Sequence, residues 1–341
     1  MAEASFEARR LTLARELKGW NQAKLAEELD VTAAAVSQFE GAITNPSDEK
    51  IKAMSEVLGV PLGFFSLALV DTHEGFFRTL RRTSVVNRRR ARAIAHVAHD
   101  IAALSPPGAL KEFVQPAIER PNLSANREDI EALAASVRLQ WGLPQGPVKS
   151  VTALLEKHGV VVIRSPLDST DVDAFSLPFP DHPVVVLSSD KNDRARSRFD
   201  AAHELGHLIL HGEQVWGLKE VENQAHWFAA AFLMPKEQIG EELPSTADWP
   251  VLFDLKRKWQ VSLAALLMRC KALERISETS YLGAVKMMSA RGWRRTEPVP
   301  LGPPEEPSLL RALLKKEGRA QIGEVLPNDV VTSLVRDDPR S

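Results

Sequence analysis

Two histidines four positions apart, His203 and His207, bracket Glu204, Leu205 and Gly206 in a proline-free stretch running from Arg194 to Leu210. On a helix such a pair lies about 6 Å apart along the axis and points the same way, which sets two imidazoles around one metal ion. Glu204 then sits about one hundred degrees around the helix, beside the metal, where it can take a proton from water. Gly206 leaves room for substrate or backbone to approach. Ala201, Ala202, Leu208 and Ile209 supply the apolar faces that oblige this helix to be packed inside a core.

A catalytic metal site of this kind needs a third protein ligand and a position kept for water. His211 extends the series, but one turn further along the same helix is too far from a metal centred between its predecessors. The next helix, from about Val221 to Leu233 and stopped by Pro235, carries the apolar stripe Ala225, Phe228, Ala229 and Phe232. Glu222 lies on that stripe, and a carboxylate on a buried face needs a partner. Glu220 falls on a different, solvated face. Glu222 is therefore the third candidate ligand, with zinc the expected ion and manganese the alternative. His211 and His226 read as packed or surface histidines, with steadying of an oxyanion the alternative for either. Asp200 reads as a helix-surface aspartate, with a supporting contact to His203 the alternative.

The rest of the chain divides into regions. With 341 residues it exceeds one ordinary core and predicts two or three domains. The single cysteine, Cys270, excludes an intramolecular disulfide and a cysteine-rich zinc cluster, and it fits a reducing compartment. The N-terminus has no apolar signal core, and no run approaches the roughly 20 apolar residues of a membrane span, so a cytoplasmic protein without membrane association is expected. A net charge of -2 and a pI near 6.5 exclude a bulk nucleic-acid coat.

Residues 9 to 66 read as five short helices, capped by Asn21, Thr32 and Pro46-Ser47. A basic stretch follows from Phe76 to His99, with seven arginines (78, 81, 82, 88, 89, 90 and 92) and no acid. It continues as a helix to about Leu104, and breaks come at Ser105 to Gly108 and Pro144 to Pro147. From Val148 the pattern turns mixed: a helix to His158, strands at 159–163, 172–177 and 183–187, the histidine helix, a loop from Gly212 to Gly217, and further helices at 249–259, 262–273 and 277–289. A proline-rich linker from Trp293 to Pro307 precedes a short helical tail.

Two resemblances carry functional expectations. The stretch RARSRFDAAHELGHLILHG followed by EVENQAHWFAAAFLMP looks like the ImmA/IrrE family of metallopeptidases. The likeness covers about Val148 to Ser289 and implies His203, His207 and Glu222 as zinc ligands with Glu204 as general base and acid. His226 departs from it, since that family usually has asparagine there, and the loop between His207 and Glu222 is short. Gln22 to Phe39 resembles the helix-turn-helix of the XRE, phage-repressor-like family. In such a module the second helix enters the major groove, so Thr32, Ala33, Ala34, Ser37 and Gln38 would face bases and Gln22 would contact phosphate. Gln38 is the best reader, because an amide can pair with adenine.

Asp30 stands where the turn usually has glycine, which an aspartate tolerates. Residues 1 to 66 hold seven basic against ten acidic side chains, so this module alone should grip phosphate weakly. The later arginine run would compensate, or would be a solvated helix face.

The expected fold is multi-domain: an all-α helix-turn-helix domain over 1–70, a basic helical linker region over 71–147, an α+β zincin-like metallopeptidase domain over 148–290, and a linker and helical tail over 291–341. The resemblances imply a site-specific endopeptidase that binds a double-stranded DNA operator and cleaves an XRE-type repressor, or itself, to control stress or mobile-element genes. A palindromic operator would call for a homodimer. The alternative is a non-enzymatic regulator, antitoxin-like, whose zinc domain is structural or sensory.

Overall fold

The computed structural model describes residues 6–72, 84–168, 173–211, 218–316 and 319–335. The expected loop from Gly212 to Gly217, the start of the second strand at Val172, and Arg78, Arg81 and Arg82 lie outside them. In chain order the helices are α1 (Ala8–Leu17), α2 (Gln22–Glu28), α3 (Ala33–Glu40), α4 (Asp48–Leu58), α5 (Val85–Ala103), α6 (Arg127–Gln140), α7 (Val151–Lys157), α8 (Arg194–Leu210), α9 (Lys219–Leu233), α10 (Lys236–Ile239), α11 (Trp249–Trp259), α12 (Leu263–Ala272), α13 (Glu278–Ala290), α14 (Leu309–Lys316), α15 (Arg319–Gly323) and α16 (Asn328–Val335). The strands are β1 (Val161–Ser165), β2 (Ala174–Leu177) and β3 (Val184–Ser188). Among the described residues, no helix is long and apolar enough to cross a membrane.

The chain gathers into two compact units built from separate segments: Met1–Phe113, Glu156–Asp190 and Pro307–Ser341 form the first, and Val114–Leu155 with Lys191–Glu306 the second. The expected boundaries near 70, 147 and 290 are divisions along the chain; these units are divisions by packing.

In the first unit the caps form where the sequence places them. Asn21, Thr32 and Ser47 accept hydrogen bonds from the amides of Lys24, Ala35 and Lys50. Asp30 takes the left-handed backbone, at φ 50°. The segment Leu62–Ser66, expected as a fifth α-helix, is a 3₁₀ turn, the form short connectors favour. Helix α5 is the centre of this unit, buried from Ala95 to Ala102 against α1, β1, β3, α14 and α16. Its buried Asp100 takes Arg10 of α1 through both oxygens, at 2.5 and 2.9 Å, while the same guanidinium donates to the carbonyls of Leu67 and Ala68. The expected linker helix is thus core, because its alanine-rich second half admits neighbours on every side.

The sheet runs β1-β3-β2, with β1 parallel to β3 (Val161 opposite Val184) and β2 antiparallel to it (Ala174 opposite Leu187). The tail is core as well: Leu310, Leu313, Leu314, Ile322 and Val331 are buried, and the Glu156 carboxylate accepts the amides of Ser308 and Leu309 at the start of α14.

The second unit packs α6 and α8 on α9. Helix α6 opens with a capping box, Asn126 with Asp129. Buried arginines collect loop carbonyls: Arg138 donates to Phe232, Pro144 and Gly146, and Arg198 to Val148 and Gln260 while pairing with Glu305. The proline-rich segment is a strap pinned by carboxylates. Glu297 accepts the Leu263 amide and pairs with Lys256, and Glu305 accepts from Ser150 and Thr152.

Candidate metal centre

Helix α8 starts at Asp193, whose carboxylate accepts the Arg196 amide, and runs unbroken to Leu210. It crosses α9 at Gly206, where a Cβ would stand 3.3 Å from the Ala225 backbone. The space that glycine leaves is therefore filled by the neighbouring helix. This close crossing brings Glu222, on the first turn of α9, opposite the two histidines.

The three candidate ligand atoms converge. His203 Nε2 and His207 Nε2 are 3.0 Å apart, and Glu222 Oε2 lies 3.5 Å from the first and 3.9 Å from the second. Among the described residues these three form the cluster of His, Cys, Asp or Glu whose ligand atoms all fall within 4.8 Å of one another. Bonds of about 2.0–2.1 Å to a tetrahedral zinc set ligand atoms roughly 3.3 Å apart, so the spacing and the two-imidazole, one-carboxylate donor set fit that ion. The His207 side chain is 1% exposed while His203 and Glu222 are 19% and 26% exposed, so the cluster is closed on one side and open on the other. Glu204 is buried, next in sequence to His203 on the same turn.

The electrostatics differ between the two histidines. Burial alone would lower His203, but the hydrogen bond to Glu222 and the charges of Glu204, Glu222 and Asp200 raise it above its ordinary value. Burial, with His203 and His211 nearby, holds His207 well below its ordinary value, in the neutral form a metal requires.

Behind His207 runs a chain of hydrogen bonds. Its Nδ1 lies 3.1 Å from His211 Nδ1, His211 Nε2 lies 3.2 Å from Gln224 Oε1, and Gln224 Nε2 donates to the Asn122 carbonyl at 2.8 Å. Read in one direction, His207 donates to His211 and His211 to Gln224, which leaves the Nε2 lone pair of His207 turned to Glu222 and His203. His211 is thus a packed histidine with an orienting contact. Gln224 is not among the residues the sequence singles out, although a glutamine two residues after Glu222 on an apolar helix is a buried polar group that needs partners. His226 packs on Phe199 at 4.9 Å, and burial, followed by the charges of His203 and Arg127, pushes it down to about 4.

At the N-terminal module Thr32, Ala33, Ala34, Ser37 and Gln38 are all exposed along α3. Gln22 is half-buried and its amide donates to Glu40 at 2.7 Å, joining a buried pair in which Arg15 donates to both Glu40 oxygens at 2.6 and 3.0 Å. The structure therefore places Gln22 on Glu40, apart from the exposed α3 face.

Residues 155–271 match the family described as IrrE N-terminal-like domain, a peptidase family, and residues 11–65 match the family described as helix-turn-helix. No curated protein matches the chain.

Proposed function

We propose that this chain, a helix-turn-helix regulator fused to an ImmA/IrrE-type peptidase domain, is a zinc-dependent, site-specific endopeptidase that acts on a DNA-bound repressor of the XRE type or on its own N-terminal module, and so controls stress or mobile-element genes. The observation that carries the reading is the convergence of His203, His207 and Glu222 within 4.8 Å on a helix pair that also bears Glu204.

His203, His207 and Glu222 would hold the ion. When bound there, zinc supplies Lewis-acid polarisation of a peptide carbonyl and makes water acidic enough to be a nucleophile near neutral pH. Glu204, beside His203, would take a proton from water and return it to the departing amine, one group serving as base and then acid. His211 and Gln224 hold the tautomer of His207. Thr32, Ala33, Ala34, Ser37 and Gln38 form the face offered to the operator. Their exposure on α3 supports that role. Gln22, through Glu40, ties the two helices of the motif and reaches phosphate only if it leaves that contact.

Cells making the native protein are to be compared with cells making Glu204→Gln, before and after DNA damage or prophage induction, by sequencing newly exposed protein N-termini. Fragments seen with the native protein alone name the substrate. Identical N-termini under every stress, with operator binding intact in both, would instead leave a regulator whose metal domain is structural or sensory.

A further inference from the structure

A cleft of about 860 Å³ opens in the second unit along α8 and α9. On α8 it is walled by Phe199 and by Asp200, three residues before His203; on α9 by Trp227 and by His226, four residues after Glu222. Three or four helical positions span about 4.5–6 Å, so on both helices the cleft reaches within one turn of the histidine and glutamate cluster. Phe199 and the exposed Met268 give it apolar surface, with the buried Met234 and Met288 beneath.

Its charged lining is unbalanced, with eight basic side chains against four acidic ones. Glu131 accepts Arg269 at 2.5 and 3.1 Å, Glu297 pairs with Lys256, and Asp193 caps α8. Beside those two ion pairs the lining holds Asp193 and Asp200 with Arg127, Lys191, Arg194, Arg196, Arg294 and Arg295, six basic side chains to two acidic. The contacts made by Arg194 and Arg127 leave their charge in place: Arg194 donates to the Pro303 carbonyl, and Arg127 lies over the Trp227 ring at 5.6 Å. Arg294 and Arg295 are held at the rim by their neighbours, since Trp293 packs on Trp249 at 5.0 Å and on Phe253 at 5.7 Å, and Glu297 is pinned to the start of α12.

We propose that this cleft is the substrate subsite of the metal centre and binds an extended polypeptide segment in which acidic side chains alternate with apolar ones. The acidic groups meet the arginine rim, and the apolar groups meet the methionine and aromatic surface. Placement beside the candidate hydrolytic cluster rests on the reading above; the binding itself does not depend on hydrolysis. Thioether and aromatic surface in a cleft suits peptide side chains better than a nucleic-acid backbone, which calls for a groove that follows the phosphates.

The test uses full-length, zinc-loaded Glu204→Gln protein, so that the probe is not consumed, with two short fluorescein-labelled peptides, one alternating leucine with aspartate and one leucine with asparagine. Fluorescence anisotropy should give a Kd at least about tenfold lower for the aspartate peptide at low salt, a gap that closes at high salt. The double variant Arg294→Glu, Arg295→Glu should lose the preference while zinc affinity is unchanged. Equal affinity for the two peptides, a preference that survives the double charge reversal, or equal competition by a single-stranded oligonucleotide of the same charge would overturn the proposal. A native chain that hydrolyses neither peptide nor any cellular protein, yet keeps the preference, would sink the peptidase reading and leave the acidic-peptide site standing.

Discussion

Gly206 is where the metal centre is most exposed to a single atom. A methyl group there would stand 3.1 Å from Phe228 Cδ1, 3.3 Å from Ala225 Cα and 3.3 Å from the Ala225 carbonyl oxygen. Carbon contacts are comfortable at about 3.5–4.0 Å, so the helices must part by roughly 0.3–0.5 Å. Phe228 can turn, but Ala225 offers backbone, which moves only with α9. Alanine gains about 1 kcal/mol over glycine in helix propensity, and overpacking costs about 1–3 kcal/mol. Gly206→Ala should therefore lose roughly 0–2 kcal/mol of stability without metal.

The larger effect falls on the ligands. Glu222 sits three residues before Ala225 and travels with it, and a displacement near half an ångström is at the limit of what a preorganised site tolerates. Zinc affinity, measured by chelator competition, should drop by up to about tenfold, and the thermal shift on adding zinc should shrink with it. Gly206→Val should be worse on both counts. A metal-free Gly206→Ala protein that melts higher than the native chain, with unaltered zinc affinity, would refute the steric argument.

Other outcomes follow from the same structure. His211→Ala removes the group facing His207 Nδ1 and should weaken zinc about 10- to 100-fold, with His211→Gln recovering part of the loss; the check is chelator competition at fixed pH. Glu40→Ala strands the buried Arg15 guanidinium and should destabilise the N-terminal module by about 3–5 kcal/mol in denaturant titrations, far more than Gln22→Ala. His96 is buried in the first unit, and burial, followed by the nearby arginines Arg92 and Arg10, holds it at about 3 against 6.5 when unfolded. The unfolded chain thus binds the extra proton, so this contribution is flat above pH 6.5 and stability falls as pH drops from 6.5 towards 3, by at most about 5 kcal/mol. His96→Phe should flatten that part of the stability profile, and an unchanged profile would place the acid sensitivity elsewhere.

Much of the local structure was readable from residue spacing, because helices are decided by contacts three and four residues apart. The bounds of α3, α8 and α11 follow from their apolar periods, and to the cap Thr32 that the sequence marks the structure adds Asp193 and Asp248. His203, Glu204 and His207 could be singled out because all three lie on one helix. Glu222 could be reached only through its place on the α9 stripe, and its approach to the histidines depends on how closely α8 and α9 cross at Gly206.

What stayed hidden was whatever depends on partners distant in sequence. Helix α5 reads as an exposed basic linker because its arginines sit at one end, yet its alanine half is wrapped by α1, the sheet and the tail. The tail after Pro307 reads as a short helical segment with no assignable role, since nothing near it in sequence shows that Glu156 caps α14. Gln224 and Asn122 lie 102 positions apart, and their hydrogen bond orients a histidine on a third segment. Spacing along the chain thus selects which groups can do chemistry, while the packing of remote segments decides which lone pairs they present and to what.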